Sequence, residues 1–299
     1  TMHQTMLFFT RKGRCYWLKC YEIPEGDKNF KGRAIQNMLN IEPDDSVNAM
    51  LRLRGLNDEE FVNSHYVVFA TKNGTIKKTC LEAYSRPRTN GVNAINIVEG
   101  DEVVDVRLTN GKNEIILANR NGRAVRFDEN TVRSMGRVST GVRGMQLDGD
   151  DDQVVGMIIV NNAETETVMV VSENGYGKRS QVEDYRKTNR GGKGVKTFSI
   201  TDKTGRLVAI KNVTDDNDLM IINKSGIAIR LAVSDCRVMG RATQGVRLIN
   251  LSKKNDVIAS VCKVMSSELE AKLADDNSAT EPEATEATEA KETNPENEK

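Results

Sequence analysis

The side chains with the most chemistry to offer lie in Tyr185-Arg186-Lys187-Thr188-Asn189-Arg190-Gly191-Gly192-Lys193-Gly194-Val195. Together with Lys196, this stretch sets five cations among three glycines. Glycine carries no Cβ, so main-chain N–H groups can lie close to an anion while the flanking Arg and Lys heads reach the same oxygens. Phosphate binding is the chemistry that suits such a backbone. The competing reading is a solvated basic turn, because motifs this short recur by accident.

Repetition weighs against accident. One glycine follows a short β-rich run five times: Gly13 after Leu7-Phe8-Phe9-Thr10, Gly74 after Val67-Val68-Phe69-Ala70, Gly122 after Ile115-Ile116-Leu117-Ala118, then Gly175 and Gly226. A second set, Gly32, Gly91, Gly141, Gly194 and Gly245, trails the first by 19, 17, 19, 19 and 19 residues. The chain therefore holds five repeats of about fifty residues, the upper end of the propeller-blade range.

Four strand-length runs can be drawn within a repeat, for example 67–71, 75–79, 92–98 and 102–108, and four strands make a blade. The repeats span about 7–51, 67–109, 115–160, 168–213 and 219–264. The Asn-Gly pairs Asn73-Gly74, Asn121-Gly122 and Asn174-Gly175 suit type I′ hairpin turns. Residues 52–66, locally acidic at Asp58-Glu59-Glu60, read as an exposed loop. Thr1 stands almost directly before a strand, so the polypeptide is expected to begin inside something larger.

A blade cannot bury both faces alone, so five must pack side by side, and equivalent loops then line one rim. The cations expected there are Lys31 and Arg33; Arg86 and Arg88; Arg133, Arg137 and Arg143; Arg186, Lys187, Arg190, Lys193 and Lys196; and Arg237, Arg241 and Arg247. Lys178 and Arg179, beside Gly177, join them. Such a curved basic track suits duplex DNA bent around a protein and held by its phosphates without regard to sequence.

Charge supports the same partner. The chain of 299 residues is formally neutral, yet from Ser266 onward eleven acids face three bases, which leaves the body at +8 and the tail at −8. A basic body with an acidic tail points to a polyanionic ligand and a tethered competitor for it. The Glu/Ala/Thr/Pro/Asn run of the tail is too polar to bury and is expected to be disordered. No run of 18 apolar residues exists, and no signal peptide is visible. Five cysteines without a CxxC read as buried, reduced thiols, and two histidines make a structural zinc site improbable.

Enzyme readings fail on the residues present. Gly177-Lys178 is followed by Arg179 where a phosphate-binding loop needs Ser or Thr, and position 172 is Ser rather than Gly. Gly191-Gly192-Lys193-Gly194 fits a KH-type GxxG, but its flanks read as strands. Asp150-Asp151-Asp152 lacks the spaced ligands of a Ca²⁺ loop and reads as a solvated turn. None of the six tyrosines has a supporting acid, base and metal constellation.

The pattern resembles the C-terminal domain of the A subunit of bacterial DNA gyrase, whose signature box reads Gln-Arg-Arg-Gly-Gly-Lys-Gly. Thr188 to Gly194 matches that box at five of seven positions. Further likeness runs through Glu22-Ile23-Pro24-Glu25, Asn73-Gly74-Thr75-Ile76-Lys77-Lys78-Thr79, Arg133-Ser134-Met135-Gly136, Thr140-Gly141-Val142-Arg143-Gly144, Asn174-Gly175-Tyr176-Gly177-Lys178-Arg179 and Gly240-Arg241-Ala242-Thr243-Gln244-Gly245-Val246.

The resemblance implies an all-β fold, a β-propeller-like β-pinwheel of five four-stranded blades over 1–265, followed by a disordered acidic tail over 266–299. It implies a non-catalytic DNA-binding and DNA-bending domain that supports ATP-dependent negative supercoiling by the whole enzyme. No cofactor is expected on this chain; ATP and Mg²⁺ belong elsewhere in the assembly. The implied partners are double-stranded DNA, the remainder of the gyrase A polypeptide, and the gyrase B polypeptide in an A2B2 heterotetramer. The implied setting is the cytoplasm, associated with the nucleoid and not with a membrane. In the family the box lies in the first blade, whereas repeat one here resembles the second, so five repeats are expected to be the remainder of six. Two alternatives stay open: the equivalent domain of topoisomerase IV, and a protein-binding propeller, against which the single Trp argues.

Overall fold

Each β-rich run that precedes a first-set glycine folds back on the run that follows it. The structure is a computed structural model and describes residues 3–26, 31–251 and 256–266. Repeat one supplies β1 (Thr5–Thr10), β2 (Arg14–Lys19) and β3 (Val47–Leu53). Repeat two supplies β4 (Tyr66–Thr71), β5 (Thr75–Cys80), β6 (Val92–Asn93) and β7 (Val103–Thr109). Repeat three supplies β8 (Glu114–Asn119), β9 (Arg123–Asp128), β10 (Val142–Arg143) and β11 (Val154–Val160). Repeat four supplies β12 (Thr167–Ser172), β13 (Tyr176–Gln181), β14 (Val195–Lys196) and β15 (Leu207–Val213). Repeat five supplies β16 (Asn217–Asn223), β17 (Ala228–Ala232), β18 (Val246–Arg247) and β19 (Ile258–Met265).

The expected all-β pinwheel of five blades is present, but a blade is not a repeat. The sheets run β3-β1-β2-β6, β7-β4-β5-β10, β11-β8-β9-β14 and β15-β12-β13-β18, and among the described residues the fifth is β19-β16-β17. The short strand after each second-set glycine thus leaves its own repeat and completes the blade before. Val92 lies opposite Cys15, Val142 opposite Ile76, Val195 opposite Ala124 and Val246 opposite Gly177. The run drawn at 92–98 is therefore a two-residue strand of the first blade.

This exchange explains both glycine sets. A Cβ on Gly194 would lie 2.3 Å from Ala124 O, and one on Gly245 would lie 2.3 Å from Gly177 O, so the second set lets two backbones touch. First-set glycines accept the returning segment through main-chain bonds of 2.8 Å to the carbonyls of Gly13, Gly74, Gly122 and Gly175 from the amides of Ala94, Gly144, Thr197 and Leu248. The first four hairpin loops are three residues long, not two. Gly74 N donates back to Thr71 O at 3.1 Å and the glycine sits at φ 86°, which is a type I turn closed by a left-handed residue.

Hydrophobic cores lie between blades. Leu7, Phe9 and Cys15 pack on Val67 and Phe69; Val68 and Ile76 on Ile115 and Leu117; Ile116 and Ala118 on Val168 and Val170; Met169 and Val171 on Leu219 and Ile221. Strands buried on both faces read as unbroken apolar runs, which is why the β-rich runs do not alternate. β3, β7, β11, β15 and β19 lie against one another in turn and form the inner edge. Inner strands are also tied to the hairpin loop of the blade before, by Val103 N to Arg11 O at 3.0 Å and Val154 N to Lys72 O at 2.9 Å.

One connection differs from expectation. Within 52–66 lies the helix α1 (Glu59–Ser64), capped where the Asp58 carboxylate accepts from Phe61 N at 3.0 Å. Its Val62 and the preceding Leu56 pack with Leu81 and Tyr84 in the core between the first two blades. The acidic tail, like Lys28 to Phe30 in the first basic loop, lies outside the described residues, apart from Ser266.

Candidate nucleic-acid interface

Because the exchanged strands lie at the edge of each sheet opposite the inner strands, the loops that lead into them face outward. Three dock alike: Met135, Thr188 and Met239 each donate a main-chain N–H, at 2.8 Å, to Lys78, Arg126 and Arg179 of the preceding repeat. The cations on these loops then fall into two rows. Arg86, Arg133, Arg186 and Arg237 open the loops. Arg143, Lys196 and Arg247 lie on β10, β14 and β18, where the valine before the cation is half-buried in the first two strands and exposed in the third. All seven are exposed, and none has a side-chain hydrogen bond or ion pair among the described residues. Arg88, Lys31 and Arg33 are likewise exposed without partners there.

Other expected cations are already engaged. Lys187 pairs with Glu114 at 2.9 Å and Asp128 at 3.3 Å, and Lys193 with Asp148 at 2.9 Å. The hydrogen bond from Lys193 holds the Asp148 carboxyl below its ordinary range. These are surface pairs, so a phosphate can displace the carboxylate at little cost. Arg190 donates to Thr131 O at 2.9 Å and Arg143 O at 3.0 Å, and Arg241 donates to Asp184 O at 3.0 Å and to Lys196 O. Both thereby clamp one loop to the one before. Arg137 is half-buried, and its carbonyl accepts from Lys77.

Lys178 and Arg179 are a correction. They lie on β13 beneath the loop that leads into β18 and are only 1% and 6% exposed, so neither offers its charge to a duplex. Lys178 Nζ donates to Gly240 O at 2.8 Å and to Arg241 O. Arg179 donates to Thr167 Oγ1 at 2.6 Å and pairs with Asp215 at 2.5 Å. Among the box glycines, Gly191 at φ 82° and Gly194 at φ 72° serve turn and contact, while Gly192 is exposed and gives its carbonyl to Gln146 N at 3.0 Å.

Some residues escaped the sequence reading. Asp152 is buried and structural, accepting from Asn119 Nδ2 at 2.6 Å and Asp148 N at 3.0 Å, so only its neighbours form a solvated turn. A channel of about 390 Å³ along the inner edge is lined by Asn48, Lys72, Arg120, Glu173 and Lys224, one residue from each blade. Four of those are found two residues before a first-set glycine, a recurrence that the sequence displays. Of the cysteines, Cys15 and Cys236 are buried, but Cys262 is exposed. Among the described residues no group of three or more His, Cys, Asp or Glu side chains could hold a metal ion, and no helix is long and apolar enough to cross a membrane.

A family model described as DNA gyrase C-terminal domain, beta-propeller, matches residues 4–54, 65–110, 113–161, 166–214 and 217–262. The DNA gyrase A protein of Staphylococcus aureus strain MRSA252 is 44% identical over 262 residues, which is 88% of this chain and 29% of that protein. The same protein from strain NCTC 8325 is equally similar. The chain thus spans less than a third of the length of these relatives. A solved C-terminal domain of DNA topoisomerase IV superposes with a TM-score of 0.79 at 27% identity, covering 92% of this chain and 84% of that one. A solved DNA gyrase A C-terminal domain gives 0.75 at 23% identity over 89% and 84%, a likeness of fold.

Proposed function

Since the chain belongs to the DNA gyrase C-terminal domain family of β-propellers, we propose that it binds duplex DNA along the outer edge of its blades and bends it. The observation that carries this reading is the pair of cation rows. Blade repetition places Arg133, Arg186 and Arg237 at one equivalent position, with Arg86 one residue beyond it in the second repeat, and Arg143, Lys196 and Arg247 at another, all exposed and unpartnered among the described residues. Guanidinium and ammonium heads on a convex edge recognise phosphates, not base edges, so binding is indifferent to sequence and is driven by release of counterions. Bending follows when one stiff duplex satisfies several blades at once.

Within a whole gyrase, bending here feeds strand passage elsewhere. Negative supercoiling, its use of ATP and Mg²⁺, and the A2B2 assembly with the gyrase B polypeptide belong to that larger reading, as does a cytoplasmic, nucleoid-associated setting. No reaction is assigned to this chain. The topoisomerase IV domain superposes slightly better than that of gyrase, but identity to the gyrase A proteins is much higher, which favours gyrase.

The test is a salt titration of affinity on a duplex of arbitrary sequence, with bending followed by end-to-end energy transfer. Seven phosphate contacts imply a log–log slope of about −6. Affinity that stays flat from low to physiological salt would refute the reading.

A further inference from the structure

Two buried lysines take no part in the cation rows. Lys77 on β5 and Lys178 on β13 occupy the same place in their blades, three residues after a first-set glycine, and are 0% and 1% exposed. Each ammonium reaches into the outward loop of the next repeat. Lys77 Nζ donates to Arg137 O and, at 2.6 Å, to Ala94 O; Lys178 Nζ donates to Arg241 O and, at 2.8 Å, to Gly240 O.

The two loops share one kind of turn. In Gly136-Arg137-Val138-Ser139 the Ser139 N–H donates to Gly136 O at 3.2 Å, and the hydroxyl donates to the same oxygen at 2.7 Å. In Gly240-Arg241-Ala242-Thr243 the Thr243 N–H and hydroxyl do likewise, at 3.3 Å and 3.0 Å. The third blade differs on both sides. Its residue at the lysine position is Val125, and the loop it receives, Asn189-Arg190-Gly191-Gly192, has no hydroxyl at the fourth place. Neighbouring core residues change in step: Thr79 and Tyr84 in the second blade and Ser180 and Tyr185 in the fourth, against Phe127 and Val132 in the third. Tyr84 OH donates to Ala94 O at 3.2 Å, the oxygen that Lys77 also uses.

Resting on the reading that these loops hold DNA, we propose that Lys77 and Lys178 are positioning residues, each fixing the turn of the following repeat's loop. The turn lies between Arg133 and Arg143 in one loop and between Arg237 and Arg247 in the other, so its shape sets how those pairs are presented. A buried donor serving two carbonyls leaves them unsatisfied when it is lost. The circuit closes at the fifth loop, where the Arg241 guanidinium returns to Asp184 O and Lys196 O in the repeat that carries Lys178.

The ammonium heads are themselves displaced in titration. Burial lowers Lys77 to about 7, helped by Arg137, and lowers Lys178 to about 8, helped by Arg241 and opposed by Asp184. Lys77 also faces the Phe69 ring at 5.6 Å. A solvated lysine titrates near 10.5, so the docked turn favours the neutral amine and tightens as pH rises from about 7 toward 10. The amine keeps two N–H donors, enough for both carbonyls.

The experiment is site-resolved amide exchange in the free chain, corrected for intrinsic rates, on wild type, K77M and K178M, paired with DNA affinity. K77M is expected to speed exchange about ten-fold at Ser139 alone and K178M at Thr243 alone, with Thr188, whose amide donates to Arg126 O at 2.8 Å in the third loop, as the internal control unchanged. Wild-type protection at Ser139 and Thr243 rises with pH, and each variant loses the rise at its own turn. Equal loss at all three loops, or none, overturns the proposal. If a variant does not fold, the pH series on wild type still decides, and a flat series overturns it. DNA affinity falls about three- to ten-fold in the double variant. Wild type that fails to bind DNA removes the functional reading but leaves the exchange result standing.

Discussion

Lys78 Nζ lies 2.9 Å from Glu129 Oε2 across the boundary between the second and third blades, with the two side chains 5% and 0% exposed. The carboxylate also accepts from Thr109 Oγ1 and from Asn113 N, both at 2.7 Å, while the ammonium sits 4.3 Å over the Tyr66 ring. Such a pair is costly to break from one side. Lys78→Met leaves a buried carboxylate uncompensated and is expected to cost about 3–5 kcal/mol in urea unfolding. Replacing Glu129 as well, by Leu, should recover part of that. A single-variant loss below about 1 kcal/mol would mean the pair is solvated in solution.

The strand exchange makes two otherwise similar glycines unequal. Gly175 and Gly226 both follow a β-rich run at positive φ, 80° and 84°. A Cβ on Gly175 would lie 2.7 Å from Ile249 O, whereas one on Gly226 meets nothing within 4 Å. Gly226→Ala should therefore cost only the left-handed strain of about 1–2 kcal/mol. Gly175→Ala should cost clearly more in the same unfolding assay, because β18 must also move; equal losses would argue against the strand exchange.

Binding and stability should separate among the arginines. Changing Arg133, Arg186 and Arg237 to Ala together is expected to leave the thermal midpoint within a few degrees and to reduce the salt slope of DNA binding by about 2.7. Arg179→Ala should act the other way, lowering the midpoint with no change of slope in the fraction still folded. Arg190→Ala should do some of each, since its guanidinium clamps Thr131 O and Arg143 O.

Acid sensitivity has an identifiable contributor. Burial pushes the Glu114 carboxyl up, but hydrogen bonds from Lys187 and Arg126, with their charges, bring it below its ordinary 4.5. A carboxyl depressed by folding contributes stability that is complete above its unfolded value and is lost as pH falls through its folded value. Glu114→Gln should lower stability at neutral pH and flatten its decline below about pH 4.5. An unchanged decline would assign the acid transition to other carboxylates.

The tail carries −8 beside a body of +8. Truncation after Met265 is expected to tighten DNA binding at low salt, and the gain should shrink as salt screens both contacts. Identical affinities of the two chains at low salt would leave the tail a solubilising role.

How far the sequence could be read depended on what its residues report. The glycine period revealed five repeats, because a backbone that must turn or touch another backbone admits little else. It could not reveal which blade a strand completes. Val195-Lys196 is two residues long, and its pairing with Ala124 and Arg123 is a property of chain path, not of local pattern. That hidden pairing also misled the reading of Lys178 and Arg179, since the loop that covers them comes from the next repeat. Residue type places Arg and Lys outside by default; the acceptors Gly240 O and Asp215 that hold them inward leave no local mark. The helix Glu59–Ser64 is too short to show a period, and only the Asp58 cap hints at it.

Because β6, β10, β14 and β18 each complete the blade before their own, the genetic unit and the folded unit are offset by half a repeat. Deleting one sequence repeat therefore takes the closing strand from the blade upstream and leaves the blade downstream to find another, so loss or gain of a repeat heals only if the new neighbours' strands are interchangeable. Near-identical spacing of the two glycines in four of the five repeats is what such interchange requires. Duplication within one gene can then lengthen the series of blades without redesigning any joint.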